Sequence, residues 1–178
     1  MSKINNLKDD EDLFIADILS KNKTIAMVGA SKNWKRPSNF VMKYLQKHAY
    51  KVIPINPGNA GQYILNELCY ASLEEVPFKI DMVNIFRPSK FCLSITKDAI
   101  RIGAKTVWMQ LGIKNEEAIR LGKKANINVI YDKCPKMEHS KLSGALGLAG
   151  FNSNLISSKR PNIKIPPLAS RNSGFVKS

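Results

Sequence analysis

The sequence has 178 residues, 44% of them hydrophobic, so it can form one domain with an ordinary core, with or without a tail. Its formal net charge of +14 comes from 28 basic and 14 acidic residues. No apolar run approaches the roughly 20 residues that cross a bilayer, and the polar N-terminus does not resemble a signal peptide. We therefore expect a cytoplasmic protein that does not contact membranes. Its three separated cysteines favour free thiols, and the usual zinc-binding spacings are missing, so we predict no metal site.

The first part of the chain predicts alternating helices and strands. Residues 4–21 predict a short amphipathic helix, with acids at 9–12 ahead of its later apolar positions. The apolar positions in this stretch are Ile4, Leu7, Leu13, Phe14, Ile18 and Leu19. Strands are predicted at Thr24–Gly29 and Lys51–Asn56, separated by a helix over Ser38–Ala49. The apolar side of that second helix is predicted to carry Phe40, Val41, Tyr44, Leu45 and His48.

The alternation continues in the second part of the chain. Residues 59–67 predict a loop, and Ser72–Pro77 predicts a helical turn that the proline ends. Three further strands are predicted at Ile80–Phe86, Lys105–Met109 and Asn128–Tyr131. Two helices are predicted between them, one from its cap Ser89 to about Ile102 and one from its cap Asn115 to about Asn126. Gly103 is placed to end the first of these helices.

Five strands that alternate with helices predict βα units with right-handed crossovers. Their sheet should be parallel and covered by helices on both faces. The glycine-rich stretch Ser143–Gly150 could be a loop or a loosely packed helix. We place the domain at residues 1–150 and a basic, flexible tail at residues 151–178, because the last residues are polar, contain several prolines and include no acid.

The turn after the first strand carries the clearest functional signal. The small residues Gly29–Ser31 allow a ligand to approach the backbone amides, and a helix begins soon after Pro37. The helix dipole favours an anion at that point. The whole stretch 18–66 contains no acidic residue. This combination predicts a site for a phosphorylated small molecule, although the glycine could instead serve only to form a tight turn.

Polar turns follow each of the five predicted strands. They are Gly29–Ser31, Asn56-Pro57, Phe86–Pro88, Gln110–Gly112 and Asp132–Cys134. Ligands of open parallel sheets bind outside the carboxyl ends of the strands. We therefore expect these turns to lie along one edge of the sheet and to form a crevice there.

Common nucleotide-binding motifs are incomplete or absent. The dinucleotide fingerprint GxGxxG is represented by Gly29 alone, and the second strand ends in Asn56 instead of the acid that binds a ribose diol. An NADP-type reductase or sensor remains an alternative, because the extra phosphate of NADP is bound by cationic side chains. A basic nucleic-acid-associated protein is a third possibility. The scattered lysines, without interleaved aromatic residues, argue against this third class.

Six short blocks of the sequence, in this order, resemble the small bacterial coenzyme A-binding domain proteins. The blocks are VGAS at 28–31, RPSN at 36–39, VIPINP at 52–57, FRPS at 86–89, AIRIGAKTVWMQLGIKNEEA at 99–118 and VIYDKC at 129–134. That family shares the fold of the coenzyme A-binding domain of the succinyl-CoA ligase alpha subunit. The resemblance covers roughly residues 12–142. It implies a Rossmann-like three-layer α/β sandwich with a mainly parallel five-stranded sheet, which binds coenzyme A or an acyl-CoA.

The resemblance also implies the binding residues. Gly29, Ala30 and Ser31 would wrap the diphosphate, helped by the helix start at Ser38 and Asn39, while Lys35 and Arg36 would meet phosphate charge. Asn56 and Pro57 would border the nucleotide part, Phe86 and Arg87 the middle of the crevice, and Gln110 and Gly112 the pantetheine side.

The sequence does not predict catalysis, because no set of acid, base and nucleophile is recognisable. Cys134 lies near Asp132, but the nearest histidine in sequence is His139, and a lone cysteine is usually inert packing. The phosphorylated histidine of the ligase subunit belongs to a second domain that this chain is expected to lack. We expect a small-molecule nucleotide ligand, no nucleic acid and a monomer or homodimer.

Overall fold

A computed structural model describes residues 2–148 of the chain. Within this range the helices are α1 (Ser2–Lys21), α2 (Pro37–Lys47), α3 (Cys92–Arg101), α4 (Glu116–Lys124) and α5 (Pro135–Leu148). The strands are β1 (Thr24–Val28), β2 (Lys51–Ile55), β3 (Tyr63–Ile64), β4 (Glu67–Leu68), β5 (Met82–Ile85), β6 (Thr106–Met109) and β7 (Asn128–Ile130). Short 3-10 turns occupy Pro57–Asn59 and Ser89–Phe91.

Five strands form one parallel sheet in the order β2-β1-β5-β6-β7. Each of these strands is formed by a mostly apolar run of the sequence, and every residue of β5 and β6 is buried. The predicted five-stranded parallel sheet and the α/β fold class are therefore confirmed. In this order β1 lies between β2 and β5, and the chain pairs it first with β2 and later with β5.

Helices cover both faces of the sheet. Alternate residues of β1 divide between the faces, because successive side chains of a strand point to opposite sides. Ile25 and Met27 pack in a core cluster with residues of α1, α2 and α5, whereas Ala26 packs with residues of α3 and α4. Trp108 is completely buried in the first cluster. The three-layer arrangement expected from the resemblance is present.

The helix termini are set by local sequence in two places. Asn115 caps α4, and its side-chain Oδ1 accepts a hydrogen bond from the amide of Ala118 at 2.8 Å. Gly103 follows the last turn of α3 with a φ of +72°, a left-handed conformation that glycine adopts easily. Both predicted boundaries are confirmed.

Four local predictions were wrong. Residues 63–68 form the antiparallel hairpin β3–β4 within the predicted loop, and the stretch 72–77 is a series of bends and turns without a helix. Ser89 does not cap α3, because its hydroxyl accepts the amide of Lys114 instead, at 3.3 Å. On α1 and α2 the buried stripe is shifted from the predicted one. Leu13, Phe14 and Phe40 were predicted on the apolar sides and are exposed, whereas Ile15 and Met42 are buried and were not predicted. The predicted positions Ile18, Leu19, Val41 and Leu45 are buried.

The remaining predictions concern the end of the chain and membrane contact. Within the described part of Ser143–Gly150, residues 143–148 belong to α5, so the helical alternative holds there. The predicted tail at 151–178 lies outside the described residues. No helix between residues 2 and 148 is long and apolar enough to cross a membrane.

Candidate functional site

The carboxyl ends of β1, β2 and β5 meet at the switch point of the sheet. Val28 at the end of β1 pairs with Ile55 of β2 on one side and Ile85 of β5 on the other. The turns that follow these strands therefore start side by side. A switch point of this kind leaves a crevice above the sheet, because the connections on its two sides leave in opposite directions.

Gly29 is required at the end of β1 by its conformation and by its neighbours. Its φ is +90°, and its amide donates a hydrogen bond to the carbonyl of Ile55 at 2.9 Å. A Cβ atom at this position would lie 2.7 Å from the carbonyl oxygen of Phe86 and 3.0 Å from Cδ of Arg87. The turn after β1 can therefore approach the turn after β5 only because residue 29 has no side chain.

Asn56 ties the turn after β2 to the turn after β1. Its side-chain Nδ2 donates to the carbonyl of Ala30 at 2.7 Å, and its Oδ1 accepts from the amide of Gly58 at 3.0 Å. Behind it, the buried Cys69 thiol lies 3.5 Å from the Asn56 carbonyl. Burial raises the pKa of that thiol, so it stays protonated and is a poor nucleophile.

The loop between β1 and α2 is ordered by its own side chains. The hydroxyl of Ser31 accepts the amide of Asn33 at 3.1 Å, and Oδ1 of Asn33 accepts the amide of Lys35 at 2.9 Å. The Asn39 side chain donates to the carbonyl of Ser31 at 3.0 Å. Pro37 begins α2, and Arg36, the preceding residue, makes no side-chain cap hydrogen bond. Its guanidinium is therefore not committed to capping the helix.

Two cavities, each of about 430 Å³, adjoin at this switch point. The first, called here the α2 cavity, is lined by Gly29, Ala30, Ser31, Arg36, Pro37, Ser38, Asn56, Phe86 and Arg87. The second, called the α3 cavity, is lined by Val28, Gly29, Ile55, Asn56, Pro57, Gly58, Ala71, Ser72, Leu73, Arg87, Phe91, Ser94, Ile95 and Asp98. Gly29, Asn56 and Arg87 line both, so the two cavities form one continuous crevice.

The structure brings most of the sequence-predicted binding residues to this crevice. Nine of the thirteen line the crevice: eight line the α2 cavity, and the ninth, Pro57, lines only the α3 cavity. The α2 cavity also includes Pro37, which was not predicted. Lys35 is exposed in the neighbouring loop, and Asn39 supports the loop from α2. Gln110 and Gly112 line neither cavity. The Gln110 amide instead donates to Oδ1 of the buried Asn84 at 2.9 Å, and the Gly112 amide donates to Asp132.

Part of the α3 cavity was missed by sequence reasoning. One wall comes from the turn at Ala71–Leu73, and another from Phe91, Ser94, Ile95 and Asp98. The latter four follow helical spacing, so they lie on one face of the segment that contains α3. The guanidinium carbon of Arg87 lies 4.7 Å from the centre of the Phe91 ring. This spacing was visible in the sequence, but it does not distinguish a cavity wall from core packing.

The charge of the crevice favours an anionic ligand at one end. Arg36 and Arg87 line the α2 cavity without any acidic residue. The α3 cavity has apolar walls from Val28, Ile55 and Leu73 and one carboxylate, Asp98, which also pairs with Arg101 at 3.1 Å. The α2 cavity is therefore suited to phosphate groups, and the α3 cavity to a less charged moiety.

Comparison with known proteins agrees with this geometry. Residues 23–140 match the family described as the CoA binding domain. The chain is 36% identical over 126 residues to the uncharacterized protein YneT of Bacillus subtilis, covering 71% of this chain and 92% of that protein. The structure of a hypothetical protein from Pyrococcus horikoshii has 38% identity and a TM-score of 0.71, and the match covers 75% of this chain and 92% of the other.

A further relative is an enzyme. An 85-residue stretch is 31% identical to the Archaeoglobus fulgidus acetate–CoA ligase (ADP-forming) II, but it covers 47% of this chain and only 12% of that protein. The similarity to that enzyme therefore concerns a small part of it. The family match covers most of the described residues and includes every turn that forms the crevice. The chain belongs to the CoA binding domain family.

Proposed function

We propose that this protein binds coenzyme A, free or acylated, in the crevice formed by the α2 and α3 cavities. The observation that carries this proposal is the junction of the two cavities at Gly29, Asn56 and Arg87, beside the start of α2. The site is proposed to bind its ligand and not to transform it.

The diphosphate is assigned to the α2 cavity. The turn at Gly29–Ser31 lets a phosphate approach the backbone, and the positive end of the α2 dipole favours negative charge there. Arg36 has a guanidinium that can donate two parallel hydrogen bonds to phosphate oxygens. Asn56 and Asn39 act indirectly, because they hold the carbonyls of Ala30 and Ser31 in place.

The nucleotide part of the ligand is assigned to the α3 cavity, bordered by Asn56 and Pro57. Its apolar walls suit the faces of a base, and Ser72 and Ser94 offer hydroxyl groups for polar atoms. Arg87 faces both cavities and is assigned, with Phe86, to the middle of the ligand. The pantetheine arm would then leave toward β6, on the side of Gln110 and Gly112.

Calorimetric titration with coenzyme A, NADP and NAD tests this assignment. We expect saturable binding of coenzyme A that is at least about tenfold tighter than that of either dinucleotide, a difference of about 1.4 kcal/mol. Equal or tighter binding of NADP would instead favour a dinucleotide reductase or sensor. Binding of none of the three would reject the proposed site.

A pair of substitutions at Ser31 that differ only in charge tests where the phosphates lie. Ser31→Asp keeps an acceptor for the amide of Asn33 and places a negative charge in the α2 cavity. We expect coenzyme A affinity to fall by about tenfold or more, because two like charges a few ångströms apart repel by about 1–4 kcal/mol. Ser31→Asn is the matched control, with the same shape and no charge. Equal affinity in the two variants would move the diphosphate out of this cavity.

A further inference from the structure

The loop between β1 and α2 exposes an unusually large aromatic surface. Trp34 is 66% exposed, although a tryptophan side chain is normally mostly buried. It stands among the cationic residues Lys32, Lys35 and Arg36. Lys35 Nζ lies 5.5 Å from the centre of the indole ring. An exposed aromatic ring surrounded by cations is the combination that binds a base together with its phosphates.

The loop that carries Trp34 borders the proposed ligand site. Its two ends, Ser31 and Arg36, both line the α2 cavity. Between them, Nζ of Lys32 donates to Oε1 of Gln62 at 2.6 Å. Gln62 immediately precedes β3, in the segment that follows β2. The loop is therefore tied to the β2 side of the crevice, where Asn56 and Pro57 border the α3 cavity.

Two of the other exposed aromatic residues, Phe14 and Phe78, do not share this setting. Phe14 lies on α1 in a different cavity, together with Tyr131, and Phe78 lies near the amino ends of the strands. The cavity of Phe14 shares no residue with the α2 or the α3 cavity, and the cavity of Phe78 shares only Leu73 with the α3 cavity. Trp34 thus combines an exposed aromatic ring, adjacent cations and a place in the loop whose two ends line the α2 cavity.

We propose that Trp34 stacks on the adenine ring of bound coenzyme A, and that Lys32 and Lys35 lie close to its ribose 3′-phosphate. This inference rests on the proposed function and adds a base-contacting residue to it. Removing the indole leaves the diphosphate contacts in the α2 cavity intact.

Tryptophan fluorescence reports directly on the stacking of Trp34 on adenine. The chain has two tryptophans, and Trp108 is fully buried, with its indole N–H donated to the Lys133 carbonyl at 2.7 Å. Stacking on adenine should quench Trp34 when coenzyme A or adenosine 3′,5′-bisphosphate is added. 4′-Phosphopantetheine, which lacks the base, should leave the emission unchanged. In Trp34→Phe, which retains only Trp108, none of these ligands should quench.

Affinity measured by calorimetry gives an independent readout. Trp34→Ala should weaken coenzyme A binding about fivefold to a hundredfold, the usual range for one stacked base. Trp34→Phe should lose less affinity for coenzyme A, because it keeps an aromatic face. The affinity for 4′-phosphopantetheine should be the same in Trp34→Ala and the unaltered protein. Phe14→Ala, which removes another exposed ring, should leave coenzyme A affinity unchanged.

The outcomes separate this inference from the proposed function. Coenzyme A that binds with unchanged Trp34 emission and unchanged affinity in Trp34→Ala would overturn the stacking and leave the site in place. Quenching by 4′-phosphopantetheine equal to that by coenzyme A would assign the indole to the other end of the ligand and would also overturn it. If the unaltered protein does not bind coenzyme A, both proposals fail.

Discussion

At the scale of single residues, Gly29 shows how a local requirement and a distant one coincide. Its positive φ is a property of the turn, and the sequence indicates it through a glycine after a buried strand. Its closeness to the Phe86 carbonyl is a property of the fold, because Phe86 follows a different strand. The glycine is therefore needed for the fold as well as for access of a ligand to the turn.

Gly29→Ala should lower both stability and binding. A left-handed φ costs a non-glycine residue roughly 1–2 kcal/mol, and here the Phe86 carbonyl must also move away from the new Cβ. Gly103→Ala is the matched control, because Gly103 has a φ of +72° and no atom of the described residues lies within 4 Å of the position that a Cβ would take there. Chemical denaturation should show that Gly29→Ala loses more free energy of unfolding than Gly103→Ala. Only Gly29→Ala should weaken coenzyme A binding. Equal losses would mean that the contact with Phe86 relaxes at no cost.

Other residues could not be assigned from the sequence. The resemblance assigned Gln110 to the pantetheine side of the ligand, and the structure shows that its side-chain amide donates to Asn84, which is completely buried. That partner lies on the neighbouring strand β5 and is brought close only by the sheet register. Trp34 was not singled out either, because exposure cannot be read from a tryptophan in a loop.

At the scale of elements, the start of α4 was predictable because its signal is local. Asn115 and the two acids after it satisfy the first turn and complement the helix dipole. The same side chain also makes a contact that was not predictable, since its Nδ2 donates to the carbonyl of Ser89 at 3.0 Å. Asn115 thus caps one helix and also holds the segment that precedes α3.

Substitutions at Asn115 should separate these two roles. Asn115→Ala removes both hydrogen bonds and should lower the free energy of unfolding by about 1–2 kcal/mol, measured by urea denaturation. Asn115→Ser keeps an acceptor for the cap and loses only the bond to Ser89, so its loss of stability should be smaller. A loss in Asn115→Ser as large as in Asn115→Ala would show that the cap contributes little.

The elements that were missed carry weak local signals. The hairpin β3–β4 has strands of two residues each, too short for a visible alternation. In the stretch 72–77, Glu75 accepts the amide of Ala71 at 3.0 Å, and Pro77 follows closely, so a turn replaces the predicted helix. These segments matter for the site, since residues 71–73 form one wall of the α3 cavity.

At the scale of the whole molecule, α5 is joined to α2 and to the start of β2 through a buried histidine. His139 is 1% exposed, and its Nδ1 lies 3.1 Å from the Tyr44 hydroxyl. The rings of His48 and Tyr50 also pack against it. Burial, followed by the nearby charges of His48 and Lys23, lowers the pKa of His139 to about 4. The folded protein therefore holds this histidine neutral.

This burial predicts a loss of stability in mild acid. The pKa of His139 is about 4 in the folded protein and near 6.5 when unfolded, so between these values the unfolded chain binds the extra proton. The free energy of unfolding should fall as the pH drops through this window, with a slope of at most about 1.4 kcal/mol per pH unit for one proton. Urea denaturation at several pH values across this window should show that the free energy of unfolding depends less steeply on pH in His139→Gln. Equal slopes would mean that His139 does not control the acid response.

The sequence by itself determined the order of the strands along the chain, the parallel sheet, the turn at Gly29–Ser31 and the family. Each depends on a run, a period or a motif that neighbouring residues carry together. Only the tertiary structure decided which turns share a cavity, because Gly29, Asn56 and Arg87 come from three strands that the sheet order brings together. It also decided that the Gln110 side chain donates a hydrogen bond to Asn84 and that α3 forms a wall of the crevice. These facts depend on contacts between distant residues, and no local pattern encodes their geometry.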